Sequence, residues 1–385
     1  MHGYPFIHPL LGTEEVFSGY RLEYAPGTVA SACRHTVETV EHFDEFDHRH
    51  PWFVPAGRFA ATTPERVIAT FSAQAGNHGE GDELEAELRK SCRKLAFASS
   101  PDSKLPATGT WDYLLISASH ARSLPPFGLH GMASRTQIVA TDVHGHGDRD
   151  WLMTNACAMT TGEYLQSRAQ IGKKADTTRQ KMLELLSLIA NDADTEALEA
   201  IFRQEAKLSY SLLRLVNSAA IAPRSPITSF AQAINMLGRR QLERWLQLLI
   251  YADPNNGQHP NPLLYKAAAR GLLLEQLISH VPTRPDVANA GDSAFMVGSF
   301  SLLDVLLNMS MGEILQQLPL CQPVHDALAR HGGPLGQLLA AIESAEGRDL
   351  TSADQQLHEL GIPPDFFLAA QMNALAWANR IRPGT

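Results

Sequence analysis

The segment Leu212-Leu213-Arg214-Leu215-Val216-Asn217-Ser218-Ala219, followed shortly by Pro226-Ile227-Thr228-Ser229-Phe230-Ala231-Gln232-Ala233-Ile234-Asn235-Met236-Leu237, decides the fold of the second half of this chain. Apolar residues recur in both stretches at the spacing of one helix face, which predicts two packed helices. Asn217 interrupts the first apolar face. A polar side chain there needs hydrogen-bond partners, so we predict that Asn217 fixes a neighbouring loop.

Start and stop residues extend the helical prediction along the chain. Thr228 or Ser229 is a candidate N-cap, because a hydroxyl can accept from a first-turn amide. Gly238 stands where a left-handed residue would end that helix. A further amphipathic helix is predicted over residues 239–251. Together these patterns predict an all-helical second domain.

Three basic residues, Arg239, Arg240 and Arg244, lie on this predicted helix. Such a patch can contact phosphate, RNA or an acidic protein. The alternative, which we favour, is surface charge with the apolar stems packed down. No aromatic residues are interleaved for base stacking. The three arginines and Asn217 are the predicted structural or interaction residues.

The two opening stretches resemble the signature of the HDOD family, the HD-related output domains of bacterial signalling proteins. The resemblance implies the helical scaffold of HD phosphohydrolases without their metal ligands. Ser301-Leu302 stands where an HD enzyme has its His-Asp doublet. One true His-Asp pair, His325-Asp326, follows a proline at a predicted helix start. We expect Asp326 to favour the helix dipole there, without a metal.

Short apolar segments alternate with a charged helix in the first half of the chain. A helix is predicted over 82–93. The short segments are typical of buried parallel strands, and lie at 67–71, 94–98, 113–116 and 137–141. This alternation predicts an α/β domain.

The order and composition of the predicted strands and helices in this half resemble those of an EAL domain. That domain is the barrel that hydrolyses cyclic di-GMP, and it often precedes an HDOD domain. Residues 8–11 and 19–24 resemble its opening strands, and 161–165 its closing turn. The EAL reaction needs carboxylates that hold two divalent cations. Neutral residues occupy the matching positions, which are 98–100, Ser117, Thr141 and Thr161. We therefore predict a degenerate EAL-type barrel with some elements missing or replaced by loops, and with no catalytic residue, metal or cofactor.

Two clusters mix histidines with carboxylates, at 41–50 and 142–148. They could hold zinc if the fold brought them together. Neither has tight ligand spacing, so we interpret both as solvated polar loops.

The chain has 385 residues, too many for one ordinary core. We predict an α/β domain over 1–172 and an HDOD domain over 173–385. A hydrophobic content of 44% and a charged content of 19% are typical of a soluble protein. Four separated cysteines indicate reduced thiols of a cytoplasmic protein. No apolar run is long enough to span a bilayer.

These observations predict a noncatalytic bacterial signalling protein that acts through protein-protein contacts of its HDOD domain. The expected partner is an unidentified signalling protein. Because the chain has a net charge of -9, DNA and anionic membranes are poor candidates for binding partners. Cyclic di-GMP is not an expected ligand, and the oligomeric state is left open. The alternatives are a non-hydrolysing cyclic dinucleotide sensor and, less favoured, an HD-type metal-dependent phosphohydrolase.

Overall fold

The computed structural model divides the chain into two compact units. One contains Met1–Ser167 and Ala345–Asp354; the other contains Arg168–Ser344 and Gln355–Thr385. The boundary predicted at 172 lies outside the described residues and stays a prediction. The described residues are 3–28, 49–56, 64–72, 80–101, 104–125, 127–167, 184–188, 194, 196, 198–199, 206–217, 227–252 and 261–381.

Eight strands form the first unit's barrel. They are β1 Pro5–Leu11, β2 Phe17–Tyr24, β3 Trp52–Pro55, β4 Val67–Ser72, β5 Leu95–Ala98, β6 Tyr113–Ser117, β7 Gln137–Thr141 and β8 Cys157–Thr161. The sheet closes in sequence order. Strand β1 is antiparallel to both β2 and β8, and every other neighbouring pair is parallel. The predicted α/β barrel is confirmed.

In the described part of this unit, four helices and a short 3-10 turn accompany the strands. They are α1 Glu80–Lys90, α2 Ala118–Ser123, α3 Gly128–Ala133, α4 His146–Thr154 and the turn Glu163–Gln166. The eight strands close into a complete sheet. The expectation of missing barrel elements is therefore corrected for the strands. Residues 99–101 and 104–112, between β5 and β6, contain no helix.

Alternate strand residues point inward and fill the barrel, because side chains on a strand have a period of two. The inward set forms one apolar cluster of Leu10, Phe53, Ile68, Ala96, Tyr113, Leu115, Val139 and Met159. This packed layer supports the end of the barrel at which strands β2 to β8 finish. We call that end the barrel mouth.

The second unit is helical, as predicted. Residues 184–188 are helical, and the labelled helices from residue 206 onward are α5 Ala206–Val216, α6 Phe230–Leu237, α7 Arg239–Leu249, α8 Pro262–Leu277, α9 Ala290–Phe300, α10 Leu303–Leu307, α11 Met311–Leu315, α12 Gln322–Arg330, α13 Gly333–Glu346, α14 Leu350–Glu359 and α15 Pro364–Arg380. Gly238, with a φ of 73°, separates α6 from α7. Residues at the ends of α13 and α14 belong to the first unit.

Helices α8 and α9 pack with unusually close backbones. A Cβ placed on Gly298 would lie 2.7 Å from the carbonyl oxygen of Arg270 and 2.8 Å from the Cα of Gly271. Among the described residues, the stretch Ala290–Leu307 has the length and apolar composition of a membrane span, but 56% of it is buried inside the fold. Such burial is typical of a core helix.

Candidate functional site

Three charged or titratable side chains of the first two strands share one face at the barrel mouth. Arg21 and Glu23 are two residues apart on β2, so both point inward, and His8 on β1 pairs with Arg21 across the sheet. Arg21 Nη2 lies 2.7 Å from Glu23 Oε1, and both side chains are largely buried. His8 Nε2 lies 3.8 Å from Glu23 Oε2.

Two further carboxylates reach the mouth from the ends of β7 and β8. Asp142 directly follows β7 with a φ of 56°, a left-handed conformation that aspartate tolerates better than most residues. Its Oδ2 accepts from the Thr141 hydroxyl at 3.0 Å. Glu163 is in the turn after β8, and its Oε2 accepts from the Val143 amide at 3.3 Å.

One guanidinium, that of Arg348, brings these three carboxylates together. Its Nη2 lies 3.0 Å from Glu23 Oε1, its Nε lies 3.0 Å from Asp142 Oδ1, and its Nη1 lies 3.7 Å from Glu163 Oε1. Only 15% of the Arg348 side chain is exposed. These described residues bring two guanidinium groups and three carboxylates to the mouth, which leaves one negative charge among them when His8 is neutral.

The electrostatics of this cluster favour the charged forms of Glu23 and Arg348. Burial by itself raises the pKa of Glu23, but the guanidinium groups of Arg21 and Arg348 outweigh it and hold the pKa below its usual value. Burial lowers the pKa of Arg348, and the three carboxylates outweigh that effect, so the net pKa is raised. For Arg21, desolvation dominates and the pKa is lowered.

The sequence-based prediction that the barrel had lost its carboxylates is therefore incomplete. The residues at the matched positions are neutral, and these positions lie at the ends of β5, β6, β7 and β8. The prediction missed Glu23, Asp142 and Glu163, which sit at neighbouring positions. Within the described ranges, no group of three or more His, Cys, Asp or Glu side chains has the arrangement to hold a metal ion.

In the second unit, a buried arginine contacts Ser301, the residue that sequence matching aligns with the HD doublet. Arg270 on α8 is 2% exposed. Its Nη1 donates to Ser301 Oγ at 2.6 Å and lies 3.2 Å from Glu343 Oε1. Glu343 Oε2 in turn lies 2.7 Å from His331 Nε2. Sequence reasoning missed Arg270, although a lone arginine well inside the mostly apolar helix α8 is a readable signal.

Asn217 links the end of α5 to the segment before α6. Its Nδ2 donates to the carbonyl oxygens of Leu213 and Ile227, and its Oδ1 accepts from the Ile227 amide, each at 2.7 Å. Through these three bonds, the Asn217 side chain holds together the backbone at Leu213 and Ile227.

The three arginines of the predicted patch are all paired with carboxylates. Arg239 Nε lies 2.7 Å from Glu243, four residues along α7. Arg240 Nε lies 2.7 Å from Asp292, and Arg244 contacts both Asp292, at 2.9 Å, and Glu275. The guanidinium of Arg244 also lies over the Phe295 ring. These contacts neutralise the patch and tie α7 to α8 and α9.

The two histidine clusters differ in how much of them the structure describes. Residues 41–48 lie outside the described residues. In the second cluster, Asp148 pairs with Arg122 at 2.8 Å, and His146 packs against the Tyr164 ring. The expectation that Asp326 lies in the first turn of its helix and favours the dipole is wrong, because Asp326 lies in the second turn of α12. Its carboxylate pairs with Arg330 at 3.0 Å.

Residues 176–265 match the model of the HDOD domain. Cyclic di-GMP phosphodiesterase CdgJ of Vibrio cholerae serotype O1 is 30% identical over 190 residues, which cover 49% of this chain and 43% of CdgJ. Protein YuxH of Bacillus subtilis is 25% identical over 221 residues, covering 57% of this chain and 52% of YuxH. The chain spans about half the length of the curated relatives it matches.

Among solved structures, the Bacillus subtilis YkuI protein, with an EAL domain and in complex with cyclic di-GMP and calcium, covers 60% of this chain and 72% of its own. The identity is 13% and the TM-score is 0.31. The predicted HDOD resemblance is confirmed, and the relatives together with the closed barrel are consistent with the predicted EAL–HDOD arrangement.

One prediction is corrected by these similarities. The chain was expected not to be an enzyme, whereas a relative 30% identical to it is named a phosphodiesterase. That expectation is wrong as drawn, because it rested on a few matched positions. It took no account of the carboxylates of Glu23, Asp142 and Glu163 at the barrel mouth.

Proposed function

We propose, from the HDOD domain that the chain contains at residues 176–265, that it is a regulatory protein of bacterial signal transduction acting on a protein partner through that domain. One observation carries the proposal beyond family membership. Of the three large hydrophobic side chains exposed in the described part of the chain, two lie in this domain: Tyr210, 62% exposed, and Met236, 48% exposed.

The positions of these two side chains support a role in binding. Helix α5 buries Leu212, Leu215 and Val216 in its own unit, so Tyr210 is left over from core packing. Tyrosine supplies a large contact area with a polar tip, and it is enriched where interfaces gain most of their binding energy. Met236 at the end of α6 is unbranched and adapts to the shape of a partner.

Chemical crosslinking with the intact protein as bait tests this function. We expect the variant Tyr210→Ala with Met236→Ala to lose the partners that the wild-type chain captures. The matched control is Phe127→Ala, which removes an 80% exposed hydrophobic side chain from the barrel unit and should retain them. Equal capture by all three proteins would contradict the proposal.

A second candidate function is hydrolysis of cyclic di-GMP, the activity in the name of CdgJ. The carboxylates of Glu23, Asp142 and Glu163 at the barrel mouth support it, because active sites of parallel barrels lie at the end where the strands finish. Carboxylates are also the ligands that hard divalent cations prefer. The expectation that this dinucleotide is not a ligand is the opposing hypothesis.

Incubation of the full chain with cyclic di-GMP and magnesium or manganese decides between these two hypotheses. Linear product that disappears in Glu23→Gln, and persists in the control Glu85→Gln, whose carboxylate pairs with Arg89 on α1, would establish turnover at the mouth. Absence of both product and binding would leave the partner-binding function as the working proposal. A cytoplasmic location belongs to the same proposal and is supported by the free thiols of Cys92, Cys157 and Cys321.

A further inference from the structure

A ten-residue segment, Ala345–Asp354, is part of the barrel unit although its neighbours on both sides in sequence belong to the helical unit. We propose that this segment is an autoinhibitory latch: Arg348 seals the barrel mouth, and a ligand gains access to the mouth only when Arg348 is released. The proposal deepens the candidate activity at the mouth, and it rests on the mouth being a binding site. We refer to residues 345–354 as the latch segment.

The first support is the set of ion pairs that Arg348 makes at the mouth. Three carboxylates from separate parts of the barrel converge on its guanidinium, at 3.0, 3.0 and 3.7 Å. A cation entering the mouth would pair with these same carboxylates, which do not form a metal-holding group in the arrangement that Arg348 maintains. Because Arg348 already pairs with Glu23, Asp142 and Glu163, an added cation must compete with a charge that belongs to the chain itself. This competition makes the contact inhibitory.

The second support is the way the backbone presents Arg348. Helix α13 ends at Glu346 and helix α14 begins at Leu350, so Arg348 lies in the short turn between them. Its φ of 69° is in the left-handed region, which costs energy for a residue with a β-carbon. Asp349 then caps the next helix, since its Oδ1 accepts from the Ser352 amide at 3.1 Å. Arg348 therefore extends from a tight turn that is held by α13 on one side and by the capped start of α14 on the other.

The third support is a separate attachment of the same segment. Asp354 is fully buried, and its Oδ1 accepts from the amides of Gly3 and Tyr4 at 3.1 and 3.3 Å. Glu346 Oε2 accepts from Gln166 Nε2 at 3.1 Å. Arg348 therefore sits between two other anchors. Its release can open the mouth while Asp354 keeps the segment attached to the start of β1.

The latch also connects the mouth to the helical unit through the chain. Helix α13 enters the latch segment from residues of the helical unit, and helix α14 returns to them. A partner that shifts either helix along its axis would pull on the turn that carries Arg348. Such a shift is a recognised way to couple binding at one place to opening at another.

Hydrogen exchange measured by mass spectrometry on the full chain tests the latch. The variants are Arg348→Gln, Arg348→Lys and the control Arg330→Gln, which breaks an exposed ion pair on α12. We expect amides of the latch segment to exchange at least about tenfold faster in Arg348→Gln than in wild type. Arg348→Lys should be intermediate, because lysine keeps the charge without the guanidinium fork. The control should match wild type.

The same samples are titrated with cyclic di-GMP in the presence of Mn²⁺. Faster exchange with a gain of about tenfold or more in affinity supports both the latch and the activity at the mouth. Faster exchange with no binding supports the latch as a conformational element and overturns its proposed ligand. Unchanged exchange in the latch segment overturns the latch itself. If Arg348→Gln destabilises the barrel strands as well, Arg348→Lys provides the comparison.

Discussion

Arg270 Nη1 donates to Ser301 Oγ at 2.6 Å, in the centre of the helical unit. The relationship places a buried guanidinium beside the residue that sequence matching aligns with the HD doublet. The barrel mouth has the same feature, since Arg348 is surrounded there by carboxylates. In both units an internal arginine supplies positive charge close to positions at which the resemblance to the EAL and HD families predicts metal ligands.

The Arg270–Ser301 contact should contribute measurably to stability. Ser301→Ala removes the acceptor of a buried charge and should lower the free energy of unfolding by about 1–3 kcal/mol. Arg270→Ala also leaves Glu343 without this partner, and a loss of about 3–5 kcal/mol is expected. Urea unfolding of the purified variants measures both values. Ser279→Ala, on an exposed serine, should change the midpoint little; an equal loss there would show that the contact is not specific.

The barrel unit should lose stability in acid partly through Glu23. Its folded-state pKa lies below the usual value of 4.5 because of Arg21 and Arg348. A carboxyl with a lowered pKa contributes stability that is complete above its unfolded pKa and is lost as the pH falls through the folded pKa. The melting temperature of Glu23→Gln should therefore lie below that of wild type at neutral pH. The two should converge only when the pH has fallen below the lowered folded-state pKa of Glu23.

Melting curves from neutral pH downward, at fixed ionic strength, measure this convergence. His8, Arg21 and Arg348 face Glu23 in both proteins, so the difference between them isolates the carboxyl. A constant gap across the whole range would contradict the assignment of the lowered pKa.

Asn217 should be a stability residue. Asn217→Ala removes three hydrogen bonds at 2.7 Å, including both backbone contacts with Ile227, and should cost about 2 kcal/mol. Asn235→Ala, at an exposed position on α6, is the control and should be nearly neutral. The measurement is again denaturant unfolding followed by circular dichroism. A neutral Asn217→Ala together with lost partner capture would instead favour a direct binding role.

Gly298 is predicted to accept no side chain. Its added Cβ would meet backbone atoms of Arg270 and Gly271 at 2.7–2.8 Å, and neither helix can move without disturbing the α8–α9 interface. We expect Gly298→Ala to lower the unfolding free energy by about 1–3 kcal/mol. Gly312 has no atom within 4 Å of the same added group, so Gly312→Ala should be neutral or slightly stabilising. A thermal melt of the two variants compares them directly.

The sequence alone determined the classes of both halves. Short β-branched segments and helical periodicity are local patterns, and they predicted the strands from β4 to β7 and the helices around Asn217. The family signature predicted the HDOD domain for the same reason, because its residues are close together in sequence. The sequence did not predict the full number of strands or the closure of the barrel, because strand pairing depends on partners far along the chain.

Only the tertiary structure decided where the charges meet. Glu23 and Arg348 are separated by 325 positions, and no local pattern relates a carboxylate on β2 to an arginine in a turn between α13 and α14. The paired state of Arg239, Arg240 and Arg244 was equally hidden, because two of their partners, Glu275 and Asp292, lie on other helices. Ion pairs depend on distances of a few ångströms in space, and sequence spacing fixes such distances only within one helix or one strand.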